Sequence, residues 1–154
     1  MAPESSSQRI EVVEGVRVEV LEFLDTVESV EKASRLSGEP ASRIAKTLLL
    51  RAGEGYVVAI ARGDRKVDFK KASHVLGVNV SLAKPSEVKA VLGVEPGAVT
   101  PLSKALRNLR IILDPAILEN EYLVCGGGSL NRLFKLKTRD LVEYLKPEVL
   151  DIFK

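Results

Sequence analysis

The sequence predicts an α/β domain, a curved, mixed, partly antiparallel sheet of about six or seven strands surrounded by helices. Three observations carry that expectation. Apolar runs of strand length recur, at 44–50, 56–62 and 122–125 among others. Segments of helical spacing lie between them and stop at glycines, 69–76 before Gly77 and 85–92 before Gly93. A turn, Gly53-Glu54-Gly55, joins two of the apolar runs, while helices separate others, so hairpins and crossovers should coexist in one sheet.

The elements follow in order. Val12, Val16, Val20, Leu21 and Leu24 recur at near-helical spacing, so a helix is expected over 11–24. Residues 26–28 read as a short extended piece. Ser29 is placed to N-cap a helix through Leu36, with Val30, Ala33 and Leu36 inward and Gly38 past its end. Pro40 suits the first turn of a short helix over 40–45. Strands at 46–51 and 56–62 form the hairpin, Gly63-Asp64 turns the chain, and Val67-Asp68 is a short edge segment. The helix 69–76, a strand alternating Val78, Val80 and Leu82, and a helix opened by Lys84-Pro85 come next. The loop 94–102 is stiffened by Pro96 and Pro101. A strand at 109–113 ends at Asp114-Pro115, followed by a helical turn at 115–118. Strands at 122–125 and 133–136 flank a triple glycine. Thr138 is the expected N-cap of a last helix that Pro147 stops, and a final turn carries Leu150, Ile152 and Phe153.

At 154 residues this is one domain with room for a real core, expected over 10–154 behind a flexible tail at 1–9. The tail is polar and has no apolar run of the kind a secretory signal carries. With no stretch of about eighteen apolar residues to span a membrane, a cytoplasmic protein is expected. One cysteine and one histidine cannot build a zinc site, so no metal and no cofactor are anticipated. A net charge of +2 is too small for a general nucleic-acid binder, so an RNA partner would need a local site. Met, Cys and Gln each occur once against plentiful Lys, Arg and Glu, a balance that suggests a thermophilic source.

Three stretches are candidates for chemistry. Lys46 heads the most apolar run, and a lysine there belongs at a sheet's end, where it reaches into a cleft; on that stretch alone, a solvated lysine is the plainer reading. The loop Gly97, Ala98, Val99, Thr100 and Pro101 is rigid. Gly126, Gly127 and Gly128, followed by Ser129, allow close approach of backbone to a ligand or a tight bend between strands. The run is neither a Walker loop nor a dinucleotide fingerprint, since no Gly-Lys-Ser/Thr and no helix follows it. His74 and Cys125 read as a surface residue and a small buried hydrophobe.

Taken together, Lys46 in Ile44-Ala45-Lys46-Thr47-Leu48, Gly63-Asp64 with Val67-Asp68, Gly93 with Pro96 to Leu102, Asp114 and Gly126 to Ser129 resemble the YbaK / prolyl-tRNA synthetase editing-domain family over about residues 27–145. The resemblance implies that family's mixed-sheet fold and a metal-independent aminoacyl-tRNA hydrolase, acting in trans on mischarged tRNA for proline bearing cysteine or alanine. It implies Lys46 as the key functional residue, with Gly97–Pro101 and Gly126–Gly128 lining the pocket for the terminal adenosine and its aminoacyl group. The chain departs from many members in having Phe134 and Lys135 where they carry an acid, and Gly97-Ala98 where they carry two glycines. The implied partners are the acceptor end of an aminoacylated tRNA and prolyl-tRNA synthetase, with neither membrane nor DNA. The mechanism expected is substrate-assisted: Lys46 holds the phosphate or ribose region, and N–H groups of the 126–129 loop meet the oxyanion. A tRNA-binding or protein-interaction module that retained the pocket, and a nucleotide-binding domain, stand as alternatives.

Overall fold

The structure, a computed structural model, describes residues 5–154. Strands β1 (Ser5–Val13) and β2 (Val16–Phe23) open it as an antiparallel hairpin. The turn between them is Glu14-Gly15, both at positive φ (51° and 79°), as a two-residue turn matched to right-handed strand twist requires. This hairpin replaces the helix expected over 11–24. Two members of the supposed helical stripe, Val12 and Leu24, are 71% and 92% exposed. The pattern that governs has period two: Val16, Val18 and Val20 are buried, and Arg17 and Glu19 between them are not. Of the tail expected over 1–9, residues 1–4 lie outside the described residues and 5–9 belong to β1.

The next elements lie close to expectation. Ser29 Oγ accepts the Lys32 N–H at 3.1 Å and caps α1 (Val30–Ser37). The short helix expected over 40–45 is a single 3-10 turn, Ala41–Arg43, because Ile44 already belongs to β3 (Ile44–Ala52). Then follow β4 (Gly55–Arg62), α2 (Phe69–Leu76), β5 (Val80–Leu82), α3 (Pro85–Leu92) and β6 (Arg110–Leu113). The chain finishes with β7 (Tyr122–Gly126), β8 (Arg132–Lys137), α4 (Thr138–Leu145) and β9 (Glu148–Val149). Thr138 is not the N-cap of α4 but its first residue. Its N–H donates to the Glu121 carbonyl at 3.0 Å, which sets it inside the turn, and its hydroxyl is buried without a partner.

Among the described residues the sheet has nine strands, ordered β1-β2-β8-β7-β3-β4-β6-β9, with β5 pairing β3 off that path. It is mixed as expected: β3–β7, β4–β6 and β6–β9 are parallel, and the other pairs are antiparallel. One face, through Val18, Val20, Leu49, Val58 and Ile60, packs on Val88 and Leu92 of α3 and Leu141 of α4. The other face is covered in two separate pieces. Ala33 and Leu36 of α1 lie over Phe23, Ile44, Val124 and Leu133. Ala72 of α2, with Ile152 and Phe153 from the chain end, lies over Leu50, Val57, Ala59 and Ile112. Ile44 and Leu50 share a face of β3 with Lys46 and Leu48, so Lys46 falls in the seam between the two pieces.

Asp114 closes β6 at 0% exposure. It accepts hydrogen bonds from Arg65 Nη1 (2.9 Å) and from the N–H groups of Arg62 (3.1 Å) and Ala116 (3.0 Å). Asp114→Ala should therefore leave two amides unmatched and Arg65 with Asp151 alone, and cost about 2–4 kcal/mol. Urea unfolding measures it, and a loss below about 1 kcal/mol would show that water replaces the carboxylate without penalty.

Candidate functional site

The site forms where the sheet comes apart. Strands β3 and β7 pair over only two positions, Ile44↔Val124 and Ala45↔Cys125. Further along β3, pairing on that side resumes with β5 at Leu50↔Leu82, and the Ala83 N–H reaches the Leu49 carbonyl at 3.1 Å. The opposite edge of β3 pairs with β4 throughout, with the Gly63 N–H donating to the Ile44 carbonyl. By the alternation of an antiparallel ladder, Thr47 therefore turns its own N–H and C=O into the gap.

A cavity of about 330 Å³ occupies this gap. Its walls are the segment 27–30 leading into α1, residues 44–48 of β3, Pro96, Gly97 and Val99, and Cys125, Gly126 and Leu133. Two glycines mark where these segments meet. A methyl group at Gly126 would stand 2.1 Å from the Val99 carbonyl oxygen, and one at Gly97 would stand 2.5 Å from Glu28 Cβ. Both are far inside van der Waals contact, so side chains are excluded there by neighbouring protein.

Lys46 is half-buried and has no ion-pair partner among the described residues. Burial, and then the charge of Lys66, hold its pKa below the ordinary lysine value. Cys125 borders the cavity, but its side chain, at 0% exposure, packs in the core cluster with Ala45 and Leu49, and burial pushes its thiol up to about 12. Around these lie the apolar Val27, Val30, Ala33, Ile44 and Leu133.

Of the residues singled out in the sequence, the structure brings together Lys46, Gly97, Val99 and Gly126. Ala98 is turned into the core, Thr100 Oγ1 accepts the Leu102 N–H at 3.2 Å, and Pro101 is buried. Gly127 lies beyond the end of β7. Its N–H donates to the Arg132 carbonyl at 3.0 Å, and its own carbonyl accepts Arg132 Nε at 2.7 Å. That donor, expected at an oxyanion, is thus already engaged. Gly128 takes φ 86° beside Arg132, and Ser129 Oγ pairs with Asn131 Oδ1 at 3.2 Å. Sequence reasoning missed Glu28 and Ser29 as wall residues, Thr47 as the open backbone edge, and Arg132 as the clamp of the glycine turn. Ser29 as an N-cap was the one signal pointing to that wall.

His74 is exposed on α2, away from the cavity. A larger cavity of about 530 Å³ lies between residues 103–111 and the end of α4. Two of its charged residues are paired, Arg107 with Glu14 and Arg110 with Glu148, and none of the residues singled out in the sequence lines it. No group of three or more His, Cys, Asp or Glu among the described residues is arranged to hold a metal ion. No helix among the described residues is long and apolar enough to cross a membrane.

Comparison with known proteins places this geometry in context. Residues 25–144 match the aminoacyl-tRNA editing domain family. The chain is 31% identical to the multifunctional Ser/Thr-tRNA deacylase ProXp-y of Escherichia coli K12, over 82% of this chain and 79% of that protein. A proline–tRNA ligase of Thermotoga neapolitana is 34% identical over 66% of this chain, which corresponds to 17% of the ligase. Among solved structures, a hypothetical protein superposes with a TM-score of 0.82 at 28% identity, covering 92% of this chain and 94% of that one. A candidate trans-editing enzyme for prolyl-tRNA synthetase superposes at 0.80 and 23% identity, covering 89% and 87%, a likeness of fold.

The buried Cys125 thiol should be inert. In the native protein at pH 8, Cys125 is expected to resist iodoacetamide for hours and to react only on unfolding, as mass spectrometry reads directly. Gly127→Ala brings its methyl within 2.8–2.9 Å of Arg132, including backbone atoms. It should therefore lower the melting temperature more than Gly128→Ala, whose methyl finds 3.5 Å of room and bears mainly the strain of positive φ, about 1 kcal/mol.

Proposed function

The chain belongs to the aminoacyl-tRNA editing domain family, and from that premise we propose that it hydrolyses, in trans, the ester joining a small, wrongly attached amino acid to tRNA. Cysteinyl- and alanyl-tRNA for proline are the first substrates to try; the seryl ester is the next, because a relative at 31% identity is a Ser/Thr-tRNA deacylase. The observation that carries the reading is Lys46, a half-buried ammonium in the wall of the cavity with no ion-pair partner among the described residues. A half-buried cation without a partner is suited to meeting an anionic ligand.

In this reading Lys46 holds the phosphate or ribose side of the terminal adenosine as a point charge. Water attacks the ester carbonyl, the C–O bond to the ribose breaks, and the ribose oxygen takes up a proton. The oxyanion formed in between needs a donor. The Thr47 N–H, open to the gap, is a better candidate than Gly127, and one such donor can contribute about 3–4 kcal/mol. The neighbouring ribose hydroxyl assists. Pro96-Gly97 and Val99, jammed against Glu28 and Gly126, set the depth available to the amino acid. One methylene discriminates by only about 1–3 kcal/mol, so steric exclusion of the bulkier cognate proline is the more effective filter. A partner synthetase would receive the freed tRNA, and the reaction would need no metal.

The experiment is single-turnover release of amino acid from a panel of aminoacyl-tRNAs, with and without chelator. Lys46→Ala should lose about 100-fold in rate, about 2.7 kcal/mol, and Lys46→Arg should recover little. No release from any member of the panel would point instead to a non-catalytic tRNA-binding module. Stability supplies an independent check. Because Lys46 sheds its proton more readily folded than unfolded, the unfolded state binds more protons between the two pKa values, and stability rises with pH there. Lys46→Met should remove that rise and be at least as stable at neutral pH.

A further inference from the structure

Two charged side chains line the cavity, Lys46 and Glu28, and the carboxylate of Glu28 has no part in the reading above. It stands just ahead of α1 with its Cβ and Cγ packed over Gly97; a methyl group there would meet them at 2.5 and 3.3 Å. The stem is thus fixed, while the side chain stays 38% exposed, at the cavity rim. Hydrogen bonding, first to the Thr26 side chain and then to its own backbone, with help from Lys32, keeps the carboxyl ionised below the usual range. Its counter-charge is slack. Lys32 Nζ sits 3.3 Å from Oε1, divides itself with Thr26 Oγ1 at 3.1 Å, and is itself 37% exposed. Exposed pairs of that kind contribute little and exchange readily.

An aminoacyl ester at the end of tRNA has two poles. Phosphate lies on the nucleoside side, and an ammonium lies one carbon beyond the carbonyl. A cavity with one cation and one anion on its walls is complementary to both, and Lys46 repels the ammonium that Glu28 attracts. We infer that Glu28 receives the α-ammonium group, so that esters with a free amino group are taken and N-acylated esters are turned away. The contact is a charge-assisted hydrogen bond from N–H to carboxylate, with no proton transferred. The consequence for the protein is a safeguard: a peptidyl or formylated ester, which has lost the charge and gained bulk, is left intact.

The inference rests on the deacylase reading, and its test separates the two. Alanyl-, cysteinyl- and seryl-tRNA are each assayed free and N-acetylated. Wild type should prefer the free ester by about 30-fold or more, as a charged hydrogen bond allows. Glu28→Gln, close in shape, should raise KM on the free ester about 10- to 100-fold with kcat little changed, and leave the acetylated rate within about twofold, so that the preference collapses. Lys32→Ala, which frees the carboxylate, should keep or sharpen the preference. Equal losses on free and acetylated esters in Glu28→Gln, or a wild type indifferent to acetylation, would overturn the inference alone. A wild type that releases amino acid from no ester would overturn the deacylase reading and this inference with it.

Discussion

Two residue pairs of parallel strand hold the sheet together across its middle. On one side of Ile44↔Val124 and Ala45↔Cys125 lie β1, β2, β8 and β7; on the other lie β3, β4, β6 and β9. If this joint were longer, β7 would run alongside Thr47 and satisfy its backbone, and no cavity would form. If it were absent, the hydrophobic cluster that crosses from β2 to β4 would divide. The short joint is therefore what makes a continuous core and an open strand edge compatible. Backbone polar groups left open in this way are tolerated only where water or a ligand can meet them.

Close contacts around the gap keep it from collapsing. Gly97 lets the 96–98 turn sit on Glu28 and Leu130, and Gly126 admits the Val99 carbonyl. Arg132 locks the following turn by exchanging backbone and side-chain hydrogen bonds with Gly127. The Val27 N–H donates to the Leu130 carbonyl at 2.7 Å and Asn131 Nδ2 to the Phe23 carbonyl at 3.1 Å, so the wall ahead of α1 is tied to the same turn. Three loops from distant parts of the chain thus share one set of contacts, and the cavity is shaped by backbone more than by side chains.

Much of the middle of the chain was legible because its signals are local. α2 and α3 begin at Asp68 and Lys84-Pro85 and end at Gly77 and Gly93, each readable within a dozen residues. The first hairpin was not, because Val12 and Leu24 completed a helical stripe by coincidence, and only pairing with β8 reveals that period two governs. Lys46 stood out as a charge in an apolar run. The role of the glycines did not. Gly126 and Gly127 read equally as room for a ligand and as a tight bend, and the space their missing side chains leave is filled by Val99 and Arg132, which only the fold brings beside them. Thr47 could not be singled out at all, since its exposure depends on where a partner strand stops.

The burial of Cys125 bears on any acyl group brought to the cavity. A thiol beside an activated ester is ordinarily a hazard, because a thiolate competes with water and would carry the amino acid off as a thioester on the protein. Here the sulfur is buried at 0% exposure and its pKa is pushed up to about 12, so at neutral pH it stays protonated. Were an ester opened in the neighbouring cavity, this thiol would offer no second acceptor and water would be left to take the acyl group.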